Sequence, residues 1–160
     1  MKKYVEEFRQ EMLSRALSLK RSRYIPRFTN FLLLGKPEEG ELKEYGVHPM
    51  SPLLGIVYFL VKIIDNHYMS IEYIGKANTD TNFHSRKALH KKDKVFDKIY
   101  FSEHPLAEIR SLEVDLIKEH LPPLNNCNVA KKCLRRLEEE IDSHISQTLD
   151  NPLKVLGDIT

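Results

Sequence analysis

The 160 residues, 41% hydrophobic and 30% charged, suffice for one packed core and exclude both a wholly disordered chain and a Gly/Pro-rich low-complexity one. The longest apolar stretch, Ile56–Ile64, is interrupted by Lys62 and falls far short of the ~20 residues of a membrane helix. The start, Met-Lys-Lys-Tyr-Val-Glu-Glu, lacks the apolar centre of a signal peptide, and two cysteines, Cys127 and Cys133, are too few for a disulfide framework. A reducing, cytoplasmic setting with no membrane partner is therefore expected. The net charge of +2 is less telling than its distribution. Residues 1–36 hold nine Lys/Arg against three Glu, and residues 86–98 hold six against two Asp. Such blocks suit contact with a phosphate backbone, although charge alone favours a solvated face.

In chain order, Lys3–Lys20 predicts an amphipathic helix with Val5, Phe8, Met12, Ala16 and Leu19 at steps of three and four. Lys20, Arg21, Arg23 and Arg27 follow as a basic arm without an acidic residue. Phe31–Leu34 is a short apolar run, and Gly35–Pro52 is a connector rich in Gly, Pro and Glu. Ile56–Ile64 and Tyr68–Ile74, rich in β-branched and aromatic residues, form a predicted hairpin around Asp65-Asn66-His67. Asn78–Asn82 offers caps for a helix over about Phe83–Lys92. Val95–Phe101 is the third predicted strand. Ser102–Pro105 then opens a helix that Pro122-Pro123 stops. A last helix over about Val129–Leu149 carries Cys133, Leu137, Ile141 and Ile145 on one stripe. The order implies an α+β fold with an antiparallel start, and the chain holds no internal repeat.

The helix after the third strand contains an anomaly. At 100° per residue, Leu106, Ile109, Leu112, Leu116 and Ile117 share one side, and Glu113 falls among them. A carboxylate on an apolar stripe must be paired, protonated or bound to a metal, so a half-buried salt bridge and a metal site are both open readings. In the preceding helix Arg86 and His90 are four apart and share a face with Phe83. A cation beside an imidazole can bind a phosphate and handle a proton, or simply be exposed. Tyr58 and Tyr73 sit on adjoining strands and Lys76 follows the second, while Asn125 is read most simply as a turn residue. Gly-rich phosphate loops, His-Glu-x-x-His and Gly-x-Ser-x-Gly are absent from the sequence, and Cys127, Cys133 and His120 lack a zinc spacing.

Taken in order, these residues resemble the GIY-YIG nuclease domain. Gly55-Ile-Val-Tyr58 resembles the first signature, with its glycine one position further from the tyrosine than usual. Tyr73-Ile-Gly75 followed by Lys76 is the second signature as it stands, Arg86 matches the helix arginine, and His90 matches the histidine of some small restriction-type branches. Glu113 matches the metal-binding glutamate, and Asn125 closes the motif much as in the excision-repair nuclease. The match spans Gly55–Asn125. It implies a three-stranded antiparallel sheet flanked by helices, a catalytic unit over 53–126, an N-terminal helix and basic arm over 1–52, and a C-terminal helix and tail over 127–160. It further implies hydrolysis of DNA phosphodiester bonds with one Mg²⁺ or Mn²⁺ held by Glu113. Tyr58, Tyr73, Lys76, Arg86, His90, Glu113 and Asn125 would form the catalytic set. Lys20, Arg21, Arg23, Arg27, Lys87, Lys91, Lys92 and Lys94 would contact DNA. On this reading Tyr58 helps deprotonate the attacking water, its phenol lowered by Lys76 and Arg86, while His90, titrating near ~6.5, relays or orients. A homodimer would supply the two sites of a double-strand break in a restriction or mobile-element role. The competing reading is a nucleic-acid-binding or interaction module that keeps the fold without catalysis.

Overall fold

The computed structural model describes residues 2–29, 42–78 and 80–150; the apolar run Phe31–Leu34, residues 35–41 of the predicted connector and the tail 151–160 lie outside them. The elements are α1 (Lys2–Arg21), β1 (Ser22–Tyr24), α2 (Ile25–Thr29), β2 (Lys43–Glu44), β3 (Gly55–Ile63), β4 (Tyr68–Ala77), α3 (Asp80–Asp93), β5 (Lys98–His104), α4 (Ile109–His120) and α5 (Asn128–Asp150). All strand pairings are antiparallel, in the order β1-β4-β3-β5-β2. Among the described residues no helix is long and apolar enough to cross a membrane.

The α+β class agrees with the sequence reading, but the sheet has five strands rather than three. The central β4-β3-β5 set is the one expected. β1 extends it on the outer edge of β4, setting Ser22, Arg23 and Tyr24 opposite Ser70, Met69 and Tyr68. β2 extends it beyond β5, opposite Phe101 and Tyr100. Strands of two or three residues carry no readable periodicity; pairing partners far along the chain create them. The predicted basic arm, Lys20–Arg27, is thus the end of α1 followed by β1 and α2.

β3 is buried from Gly55 to Val61, which its unbroken apolar run requires of a strand covered on both faces. On one face Val57, Phe59 and Val61 join Met69, Ile71, Ile74 and Tyr100 beneath Ile109, Leu112, Leu116 and Ile117 of α4. On the other, Ile56, Tyr58 and Leu60 pack with Ala77, Ile99, Phe101 and Phe83 of α3. Asp65 tightens the β3–β4 turn by accepting the His67 and Tyr68 amides at 2.7 and 2.9 Å.

A bulge decides what β4 presents. Leu60 faces Tyr73 but Val61 faces Ile71, so Glu72 is the extra residue. In a regular strand Ile71 and Tyr73 would point the same way. The bulge sends Ile71 to the α4 face and Tyr73 to the Tyr58 face.

Boundaries differ from expectation: β4 runs on through Gly75 and Lys76 to Ala77, α3 begins at Asp80 rather than near Phe83, and two larger shifts follow. The third strand runs Lys98–His104, not Val95–Phe101, because its register against β3 continues to Gly55↔His104. Ser102 and His104, read as the opening of a helix, are buried in this strand, and the Ser102 hydroxyl lies 2.6 Å from His104 Nε2. α4 begins only at Ile109. It ends at His120, where Leu121 adopts a left-handed cap (φ 42°) and returns its amide to Ile117 O, just before Pro122. Ile141 and Ile145 of the predicted α5 stripe are buried, while Arg9 of α1 pairs with Asp142 and Glu138. α5 therefore packs within its own chain.

Candidate active site

Tyr58 and Gly75 are directly opposite in the β3–β4 pairing. The Tyr58 ring lies across the glycine so closely that a Cβ at position 75 would overlap the ring and its hydroxyl. Phe83 meets the same ring edge-on, with centroids 5.1 Å apart. Tyr58 is fully buried, and its hydroxyl is 2.7 Å from His90 Nε2. The Tyr73 ring stands 4.7 Å from that of His90 and carries Lys94 Nζ at 4.9 Å from its centroid.

Glu113 reaches this group from α4. Its carboxyl is half-buried, with no ion pair within 4.0 Å among the described residues. Burial raises its pKa above the ordinary carboxyl value, while Lys76 and Arg86 oppose the rise. The close salt bridge left open by the sequence is therefore not formed among the described residues. Arg86 is exposed, yet its charge acts on Tyr58, Tyr73, His90 and Glu113 alike. Four elements, β3, β4, α3 and α4, thus bring Tyr58, Tyr73, Lys76, Arg86, His90 and Glu113 to one place.

The expected protonation is reversed. Burial pushes the Tyr58 phenol well above its ordinary value, and Arg86 only partly offsets this. Burial raises Tyr73 too, with Glu113 adding to the shift. His90 does not titrate near its free value: burial first, then Lys94 and Arg86, lower it to about 4. At neutral pH the pair is a phenol beside a neutral imidazole. Its simplest arrangement has the Tyr58 O–H donating to Nε2, with the proton on Nδ1, a buried atom without a hydrogen-bond partner among the described residues.

A stability prediction follows from this burial. The unfolded chain protonates His90 near 6.5 but the fold resists until about 4, so folding stability is full above pH 6.5 and is lost as pH falls toward 4. The shift is worth about 3 kcal/mol, and burial of His120 acts in the same direction. Urea unfolding across this window should show the loss, and His90→Gln should flatten it.

Asn125 lies beside the site without entering it. Its Oδ1 accepts the Ile74 amide at 2.9 Å and its Nδ2 donates to Ile74 O at 2.8 Å, while the Leu124 amide donates to Glu72 O at 3.0 Å. The loop after α4 thereby serves as the missing neighbour of β4 where β1 has ended. Asn125 is a positioning residue for Tyr73 and Gly75, not a member of the reacting group. Asn125→Ala should cost about 1–3 kcal/mol in chemical denaturation and speed amide exchange at Ile74.

The residues expected to contact DNA divide. Arg21 Nε donates to Leu121 O at 2.7 Å, and Arg23 donates to the Leu19 and Ser22 carbonyls at 3.1 and 2.7 Å. These two arginines fasten α1 and β1 to the end of α4, so they are not the free arm expected; both guanidiniums are more useful to unpaired carbonyls than to solvent. Lys20 is half-buried, and Arg27 is exposed with its guanidinium carbon 5.9 Å from the Tyr24 ring centroid. On α3, Lys91 and Lys92 are exposed, while Lys87 Nζ lies 3.1 Å from the Tyr45 hydroxyl. Tyr45, which packs on Phe83 with ring centroids 5.0 Å apart, had no sequence signal because it stands in the connector.

A cation fits beside Glu113 in one way. A half-buried carboxylate without a close partner suits a hard ion that keeps most of its waters. Among the described residues no three His, Cys, Asp or Glu gather to form a multi-ligand cage. The free cysteines Cys127 and Cys133 take no part in such a cluster. No protein-family model matches this chain, and neither a curated protein nor a solved structure matches it.

Proposed function

We propose that the chain is a metal-dependent DNA endonuclease of the GIY-YIG type, hydrolysing phosphodiester bonds by attack of water. One observation carries this reading: the half-buried carboxylate of Glu113, without an ion pair among the described residues, lies within electrostatic reach of a guanidinium, an ammonium and two phenols. Pockets that desolvate a carboxylate and ring it with proton-handling groups are candidates for chemistry.

Mg²⁺ or Mn²⁺ held by Glu113 would supply charge neutralisation at the leaving oxygen. Arg86, exposed at the mouth, binds a non-bridging oxygen of the scissile phosphate as charge builds there. Lys76 adds positive potential from β4. Tyr58 Oη orients the attacking water and takes its proton while its own passes to His90 Nε2, 2.7 Å away. The relay spares the phenolate from accumulating, and its proton passes to an imidazole that burial disfavours charging. Lys91 and Lys92 are the exposed cations of α3 that meet the backbone. A cytoplasmic restriction or mobile-element enzyme, acting as a dimer when both strands are cut, is the biological setting this reading favours.

The second reading, a binding module without catalysis, draws on the same burial: both phenols are raised and His90 is held neutral, which is unfavourable for a resting general base. Incubation with supercoiled plasmid separates the two. Nicking that requires Mg²⁺ or Mn²⁺ and stops with EDTA is the expected result. Retarded migration without cleavage, on any DNA form and with either metal, would leave only the binding module.

A further inference from the structure

A cleft with a cavity volume of about 230 Å³ lies between β1, α2 and the end of α4, lined by Ser22, Arg23, Tyr24, Arg27, Phe28 and His120. His120 is 2% exposed. Its Nδ1 is 2.8 Å from Arg23 Nη2 and 3.1 Å from Lys20 O, but its Nε2 is buried with no hydrogen-bond partner among the described residues. The Glu119 carboxylate stands 4.0 Å from Nε2, beyond hydrogen-bond reach, with its side chain 53% exposed. Burial lowers both Arg23 and His120 from their ordinary values, so the imidazole is neutral. When Nδ1 accepts from Arg23, the ring proton sits on Nε2, which has no hydrogen-bond partner among the described residues.

Buried donors are satisfied as a rule, and a desolvated guanidinium is normally met by an anion. Here neither holds. Among the described residues no carboxylate lies within 4.0 Å of Arg23 or Arg27; Lys20 and Arg23 act on His120 against Glu119, and Arg27 lines the same cleft. We propose that this cleft binds a phosphate group, gripped by Arg27 and the His120 Nε2–H with Arg23 supplying buried charge. Phosphate is favoured over a monovalent ion because several fixed donors converge and guanidinium forks match its oxygens.

The location relates the cleft to the candidate site. His120 follows Glu113 by seven residues on α4, on the same helical side and about 10 Å along the axis. Phosphates of one DNA strand recur every ~3.4 Å of axis, so a backbone engaged at Glu113 has further phosphates at that range. Assignment to the nucleic-acid backbone rests on the function proposed above; phosphate binding by the cleft does not.

The test is a titration of the wild-type chain in EDTA, so that nothing is cut, following the His120 ring nitrogens by NMR. The probes are inorganic phosphate, a short DNA duplex, and sodium chloride at matched ionic strength. Phosphate or duplex should move Nε2 saturably where chloride does not, and Arg27→Ala, an exposed change that leaves the core intact, should weaken the response about tenfold. Glu119→Gln should strengthen it. Duplex binding tighter than free phosphate, on the same signals, supports the cleft as a backbone contact; the reverse supports it as a site for free phosphate. No saturable response, an equal response to chloride, or unchanged affinity in Arg27→Ala overturns the proposal. A chain that nicks plasmid yet fails this titration keeps its proposed activity and loses only the cleft.

Discussion

Glu113→Gln is expected to reduce metal-dependent plasmid nicking about a thousandfold or more while leaving the chain as stable as before. Removal of a single preorganised group facing developing charge already costs 10²–10³ in rate in other enzymes, and here the same change removes the carboxylate that would hold the ion. Stability moves independently. The fold raises the pKa of Glu113, so at neutral pH its charge is held at a cost that an amide of the same shape avoids. The melting temperature of the variant should therefore be equal to or above that of the wild type. Mg²⁺ should raise the wild-type melting temperature and leave Glu113→Gln unmoved, since only a ligand that binds the folded chain stabilises it. Full nicking by Glu113→Gln would end the reading of this carboxylate as the ion's ligand. Loss of nicking together with a large fall in melting temperature would make Glu113 a structural residue instead.

Gly75→Ala is the change expected to damage the fold most. The methyl group would occupy the space of the Tyr58 phenol, and the ring has nowhere to go: it is fully buried, stacked edge-on by Phe83 and tied to His90. Overpacking a filled core costs about 1–3 kcal/mol, and losing the Tyr58–His90 hydrogen bond adds about 1 kcal/mol. A destabilisation of roughly 3 kcal/mol by urea unfolding is thus expected, with cleavage lost as the phenol is displaced. Part of the overlap is with the hydroxyl itself. Tyr58→Phe should therefore cost less in the Gly75→Ala background than in the wild type, a coupling a double-mutant cycle reads directly. Strict additivity would show that the two positions do not collide.

The strongest elements were legible because they depend on local pattern. β3 declared itself by an apolar run, α4 by its stripe with Glu113 as the exception, and the Arg86–His90 pair by spacing alone. The short strands β1 and β2 were not legible, since two or three residues have no period and exist only by pairing with distant edges. Neither was the shift of β5, where Ser102 and His104 tolerate burial by bonding each other.

What the amino-acid order determined by itself is the α+β class, the central hairpin, and the candidate residues of the site. The tertiary structure alone decided how they meet. The bulge at Glu72 turns Tyr73 toward Tyr58, Arg21 is spent on the Leu121 carbonyl and Arg23 meets His120, each about a hundred residues away, and burial reverses the expected protonation of Tyr58 and His90. The physical reason is common to all three: register and desolvation are set by neighbours remote along the chain, whereas periodicity is set by neighbours a turn or a residue away.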